Sequence, residues 1–309
     1  MNKGLKVALN LTIFFLIVGF VWHVSSSVFN NNSQSGGNLR EPDFSFESPY
    51  ALVGAFDFPE DVNRFDLHDD KLFVSAAQSV FILDMEGNSL GEFQVEPEVR
   101  DVAVNGEEIY LLYPTYVTVY NANGNIARQW EAFSNLSDYC SFTLAGNSVF
   151  ITDAGNRNIV KFTADGYFDK FIQSPAGFII PSYSFDIDSW NDTIYCNNSG
   201  RHLIEKYTLD GDFIGSFGEP GGNAGYFAGC CNPVYIAFTP EGELLTSEKG
   251  NPRVSSFGRN GTFNSVWLNS TMLGSFSNAC EVRALDDKLI VAARNKILIF
   301  QKTIAFAER

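Results

Sequence analysis

Several absences narrow the field first. Five cysteines in 309 residues, none in a CxxC pair or a CxxCH segment, rule out a disulfide-dependent small domain, a zinc finger and covalent haem attachment. No GxSxG segment offers the strained turn on which a hydrolase serine is presented. Positive charge is scarce: 21 Lys plus Arg stand against 36 Asp plus Glu, a formal charge of -15. A chain so charged repels nucleic acid and anionic bilayer surfaces at long range, and no basic stripe with interleaved aromatics offsets the repulsion. Nucleic acid is therefore excluded as a partner. Behind the first 24 residues no helix-length 3.6 periodicity appears, which leaves strands as the building unit.

What is abundant agrees with that. The 29 Phe, 12 Tyr and 26 Gly suit many short strands closed by tight turns. One pattern recurs: strand, a turn ending in Gly, strand. It runs through Val80–Gly87, Val117–Gly124, Ile159–Gly166, Ile204–Gly211 and Val254–Gly261. The Asp, Asn or Glu before such a glycine reverses the chain, and the glycine takes the positive φ. The turn glycines recur at intervals of roughly 40 to 50 residues, the spacing of propeller blades. Ahead of each hairpin lies a second strand pair, as in Val102–Val104 before Ile109–Leu111. Blades are expected near 65–93, 99–130, 140–171, 183–217 and 232–267, with a sixth starting near Cys280.

The sixth blade stops at Phe300 without a further turn and strand, whereas Ala51–Phe58 stands alone before the first. Pairing the two closes the ring and removes the exposed edges of an open array. The expected fold is thus all-β, a six-bladed β-propeller over 49–301 closed by an N-terminal strand, with a tail at 302–309. The alternative, a β-sandwich of unrelated strands, does not explain the recurring order.

The first 24 residues read differently. Lys3 and Lys6 precede an apolar run from Val7 to Val24, the order of a signal peptide or a signal-anchor helix. The polar stretch 25–48 reads as a flexible linker. These features predict an extracytoplasmic domain, held at the cell membrane through the N-terminal helix if uncleaved, and periplasmic or secreted if cleaved.

The run Ile151–Phe162, with its Asp153-Ala154-Gly155-Asn156-Arg157-Asn158 loop and the following Asp165-Gly166, resembles a blade of the NHL-repeat family of six-bladed propellers. Phe217–Gly222 is similar to that family's inter-blade connection, and blades three to five carry the likeness best. Gly229–Pro233 and Thr246–Arg253 resemble segments of a bacterial exported or membrane-associated subgroup. The resemblance implies a binding or interaction module more than one chemistry. Amidating lyases of similar fold hold zinc on several histidines, but this domain has only His68 and His202. No metal is assigned, and no cofactor is named by these residues. Asp186-Ile187-Asp188 reads as an ordinary polar turn rather than a calcium loop.

The repeat register places the residues before each inner strand, and the loops between second and third strands, on one mouth of the channel. Those positions supply Arg64, Arg100, Arg283, Arg157, Arg201, His202, Lys249, Arg253 and Arg294, beside Glu248 and Glu281. Clustered guanidinium groups suit a small anion bound by paired charge-assisted hydrogen bonds. The competing reading has each arginine pairing with a blade carboxylate and stapling loops. Arg100, Arg283 and Lys249 are expected to converge with Cys231 and Cys280. Cys140, Cys196, Cys230, Cys231 and Cys280 are expected at one end of their blades. Adjacent cysteines rarely bond to each other, so one of Cys230 and Cys231 is expected to reach toward Cys140, Cys196 or Cys280. The options are a disulfide, free buried thiols or a thiolate metal cluster. Two functions follow: a non-enzymatic module for a small anion or an envelope protein, or an enzyme or redox and metal accessory protein using the cysteine-rich mouth.

Overall fold

The computed structural model describes residues 47–274 and 278–303. Among them lie 24 strands in six four-stranded antiparallel sheets, each sheet one blade. The inner strands are Val62–His68, Asp101–Asn105, Tyr139–Ala145, Ile187–Trp190, Tyr235–Phe238 and Glu281–Leu285, and each touches the inner strand of the next blade. The ring closes as the sequence implies. Tyr50–Asp57 pairs antiparallel with Lys296–Lys302, in a register that sets Tyr50 opposite Lys302 and Asp57 opposite Lys296. Six blades closed by the amino-terminal strand are therefore established.

The core is not one central mass. It is six apolar seams, each between neighbouring blades, because both faces of every sheet are covered. Phe65, Leu72 and Val74 of blade one pack on Ile290 and Ile297 of blade six. Tyr195 and Ile204 of blade four pack on Ile236, Leu244 and Phe257 of blade five. Second strands are accordingly buried on both faces, as in Lys71–Ala76, while outer strands such as Ser89–Gln94 alternate toward solvent.

The turn glycines serve these seams as well as the turns. Gly87 and Gly166 adopt φ of 85° and 87°, which suits glycine. A Cβ on Gly87 would also lie 2.5 Å from the Phe56 ring, and one on Gly166 would lie 2.6 Å from Trp130. Gly124, Gly211 and Gly261 receive Phe93, Ile172 and Phe217 in the same way. Each turn thus docks under a large outer-strand side chain of the preceding blade, and the repeat is held by steric fit as well as by φ.

Two expectations are corrected here. Asp188 is no turn residue: it lies in the inner strand Ile187–Trp190, and Asp186 directly precedes it. Among the described residues no helix is long and apolar enough to cross a membrane, which corrects the expected membrane partner, transmembrane helix and membrane localisation. The expected signal peptide or signal-anchor helix over 1–24, most of the expected linker and most of the expected tail fall outside the described residues.

Candidate functional site

The bore of the propeller holds a buried ion-pair network. Arg64 reaches Asp186 at 3.2 Å, Glu281 at 3.4 Å and Asp101 at 3.8 Å, while its guanidinium lies 4.6 Å from the Tyr235 ring centre. Two residues along blade six from Glu281, Arg283 meets that same carboxylate at 2.9 Å and Asp66 at 3.9 Å. The alternation of a strand turns positions two apart to one side, so Arg64 with Asp66 and Glu281 with Arg283 form two levels along the bore. Two guanidinium groups therefore sit among five carboxyls, those of Asp66, Asp101, Asp186, Asp188 and Glu281.

These carboxyls also join the blades. Asp66 accepts from the Val104 amide at 2.8 Å, Asp186 from Ile236 at 2.8 Å and Glu281 from Phe65 at 3.2 Å. Asp101 accepts from the Ser141 hydroxyl at 2.6 Å and the Phe142 amide at 3.1 Å. In each case an acid on or directly before one inner strand takes the backbone N–H of the next, satisfying a donor that the bore would otherwise leave unpaired. Sequence reasoning weighed arginines pairing with blade carboxylates and set Glu281 beside Arg64 and Arg283, but it missed the ties from acids to the amides of the next blade. The available signal was an acid at the start or middle of successive inner strands.

Burial sets the electrostatics. It pushes the carboxyls of Asp188 and Glu281 up to about 7, against the opposing pull of Arg283. Asp66 and Asp186 are raised for the same first reason. Burial opposes the charge on Arg64 and Arg283 too, but the surrounding carboxylates outweigh it and both remain cations.

Above the bore the mouth opens into two clefts that share Asn63 and Tyr235. One, of about 260 Å³, is bordered by Arg64, Arg100, Cys140, Ser182, Tyr183 and Asp186. The other, of about 190 Å³, is bordered by Asp61, Cys280, Glu281 and Arg294. Arg100 is half-exposed, and its ion pair with Asp138 is long, at 3.6 Å. The connection from blade three brings Ser182 and Tyr183 to the rim on a short 3-10 turn, with both residues at positive φ.

The remaining sequence candidates divide. Arg253 makes a buried bidentate pair with Glu248, at 2.6 and 3.0 Å, and donates to the carbonyls of Asn223 and Tyr226. That pair fastens the loop before blade five and presents no free charge. Arg201 donates to the carbonyls of Ala176 and Gly177. Arg157 is exposed. His202 contacts the Gly229 carbonyl oxygen at 2.5 Å. The expected convergence is partial: Arg100 borders the first cleft, Arg283 lies inside the bore, Cys280 borders the second cleft, and Lys249 sits beside Cys231.

The cysteines do not bridge blades. All five are free, and Cys230 and Cys231 face each other at 2.7 Å rather than a thiol elsewhere. Burial pushes the Cys140 thiol up to about 12 and that of Cys280 up to about 11, and it raises Cys196 as well. Among the described residues no group of three or more His, Cys, Asp or Glu could hold a metal ion.

Geometry and topology together define a six-bladed β-propeller. Comparison with solved structures agrees. A streptogramin B lyase structure superposes with a TM-score of 0.60 at 16% identity, over 82% of this chain and 98% of that one. The virginiamycin B lyase of Staphylococcus aureus gives 0.57 at 14% identity, over 82% and 99%. The Pan2 WD40 domain of Neurospora crassa gives 0.57 at 7% identity, over 83% and 97%. At these identities the likeness is one of fold. No family model matches the chain, and no curated protein matches it.

Proposed function

We propose that this propeller is a non-enzymatic binding module that holds a small anionic group in the mouth cleft beside Arg100. The observation carrying this reading is the contrast in pairing: Arg64 and Arg283 are saturated by carboxylates, whereas Arg100 is half-exposed with one long ion pair. Asn63, Ser182 and Tyr235 border the same cleft and bring amide and hydroxyl donors. A guanidinium with neutral donors around a small concave site suits a sulfate, a phosphate or a carboxylate. Asp186 on the cleft wall is already engaged by Arg64 and the Ile236 amide, which limits its repulsion.

The Asp-rich loop of blade three supports the NHL-like variety of propeller. Asp153 accepts from the Asp138 and Asn156 amides, so the motif's acid ties the loop to the incoming strand.

Isothermal titration of the chain with phosphate, sulfate and small dicarboxylates tests the reading. Saturable, salt-sensitive binding is expected, weakened about tenfold or more in Arg100→Met through loss of a charged hydrogen bond. Absence of binding to every anion, or equal binding by the variant, would make the mouth a surface for a protein partner instead.

A further inference from the structure

The loop entering blade five carries a second chemistry. Cys230 and Cys231 are adjacent, their sulfurs 2.7 Å apart, against ~2.05 Å in a disulfide. Cys230 is exposed and Cys231 is buried. Asn232 clamps the loop: its amide donates to the carbonyls of Ala228 and Lys249, at 2.7 and 2.9 Å, and its side-chain oxygen accepts from the Lys249 amide at 2.9 Å. That clamp sets Lys249 beside the Cys231 sulfur, with the Ser182 hydroxyl 3.9 Å away.

The two thiols are thereby made unequal. Burial pushes the Cys231 thiol up, but its contacts with Cys230, Lys249 and Ser182 outweigh burial and hold it below the ordinary range. The Cys230 thiol is raised by its hydrogen bond to Cys231. Cys140, Cys196 and Cys280, buried and raised, are built as inert core thiols.

We propose that Cys230 and Cys231 form a dithiol site that exchanges with small-molecule disulfides of the glutathione disulfide class and closes to a disulfide between the two adjacent residues. Cys230, accessible, loses its proton to solvent and attacks one sulfur of the incoming disulfide. A mixed disulfide forms on Cys230 and the first small thiolate leaves, taking a proton from water. The Cys231 thiolate, held by Lys249, then attacks the Cys230 sulfur. The Cys230–Cys231 bond forms and the second small thiolate departs. Two protein thiols are oxidised, and one small disulfide is reduced to two thiols. Adjacent Cα atoms lie ~3.8 Å apart, short of the usual disulfide span, so the closed form is readily reducible and the couple runs in both directions.

The test is equilibration of the full-length chain in graded mixtures of reduced and oxidised glutathione, followed by acid quench, alkylation and peptide mapping. Cys230 and Cys231 are expected to lose alkylation together in one two-electron step and to regain it with dithiothreitol, while the other three cysteines stay reduced. Cys231→Ser is expected to stop at a glutathione adduct on Cys230. Cys230→Ser is expected to react about tenfold more slowly, because the remaining thiol is buried. Lys249→Met is expected to accumulate the mixed disulfide during closure, which a purely structural lysine would not do. Independent adducts on both cysteines of the unaltered chain, bonding of either to another cysteine, or persistence of both thiols in fully oxidised glutathione would each overturn the proposal.

Discussion

Arg64 and Arg100 stand near the starts of neighbouring blades, yet they occupy opposite electrostatic situations. Arg64 is 7% exposed, faces three carboxylates and lies over an aromatic ring, and it donates to the Arg100 carbonyl at 3.0 Å. Arg100, at the rim, keeps a half-exposed side chain and one ion pair at 3.6 Å. Depth along the bore, more than residue type, separates a charge that joins blades from a charge left to meet a ligand. Removing one partner from the buried set strands the others, whereas removing a rim charge leaves the fold intact.

The comparison breaks most sharply at Arg64. Arg64→Met is expected to cost about 3–5 kcal/mol, because Asp101, Asp186 and Glu281 lose their shared cation in a site poor in water. Denaturant unfolding measures this, and a loss below about 1 kcal/mol would mean the bore is not a stabilising network.

A smaller effect concerns pH. Asp188 and Glu281 are held at about 7 in the folded chain, against ~4 for ordinary carboxyls. Between those values the folded state keeps protons that the unfolded chain has released. Their contribution is thus fully present at the acid end and is lost as pH rises through 7. Asp188→Asn removes one such group, so the melting temperature of the variant relative to the parent is expected to improve by about 5–10 °C from pH 5 to pH 8. An unchanged difference would place Asp188 in contact with bulk water.

Smaller again is Arg201→Ala, which releases the carbonyls of Ala176 and Gly177 and is expected to cost about 0.5–1.5 kcal/mol. Hydrogen exchange in the connection between blades three and four should quicken with little change elsewhere. Smallest is Arg100→Met, expected to stay within about 0.5 kcal/mol of the parent in stability.

The blades were legible because their signals are local. A turn glycine and two alternating strands fall within one short stretch, and the unpaired Ala51–Phe58 segment pointed to ring closure. The second reason for each glycine, the side chain of the preceding blade above it, was not legible, since Gly166 and Trp130 are linked only by blade packing. The bore was illegible for the same cause. Arg64 and Glu281 lie 217 residues apart, and although both were expected near one mouth, no local pattern pairs them or brings Asp101 and Asp186 to the same guanidinium. Arg253 was expected at the mouth, but nothing in the sequence shows that Glu248 takes its guanidinium bidentately. The adjacent cysteines were visible, and expecting a partner on another blade overlooked the Asn232 clamp that turns them toward each other.

The central claim is that the bore holds the fold and the rim holds the ligand. Its most direct test is sulfate titration of Arg283→Met beside Arg100→Met, at a temperature where both are folded. The account expects Arg283→Met to bind like the parent while unfolding at lower denaturant, and Arg100→Met to unfold like the parent while losing the anion. Loss of binding in Arg283→Met with retention in Arg100→Met would contradict it.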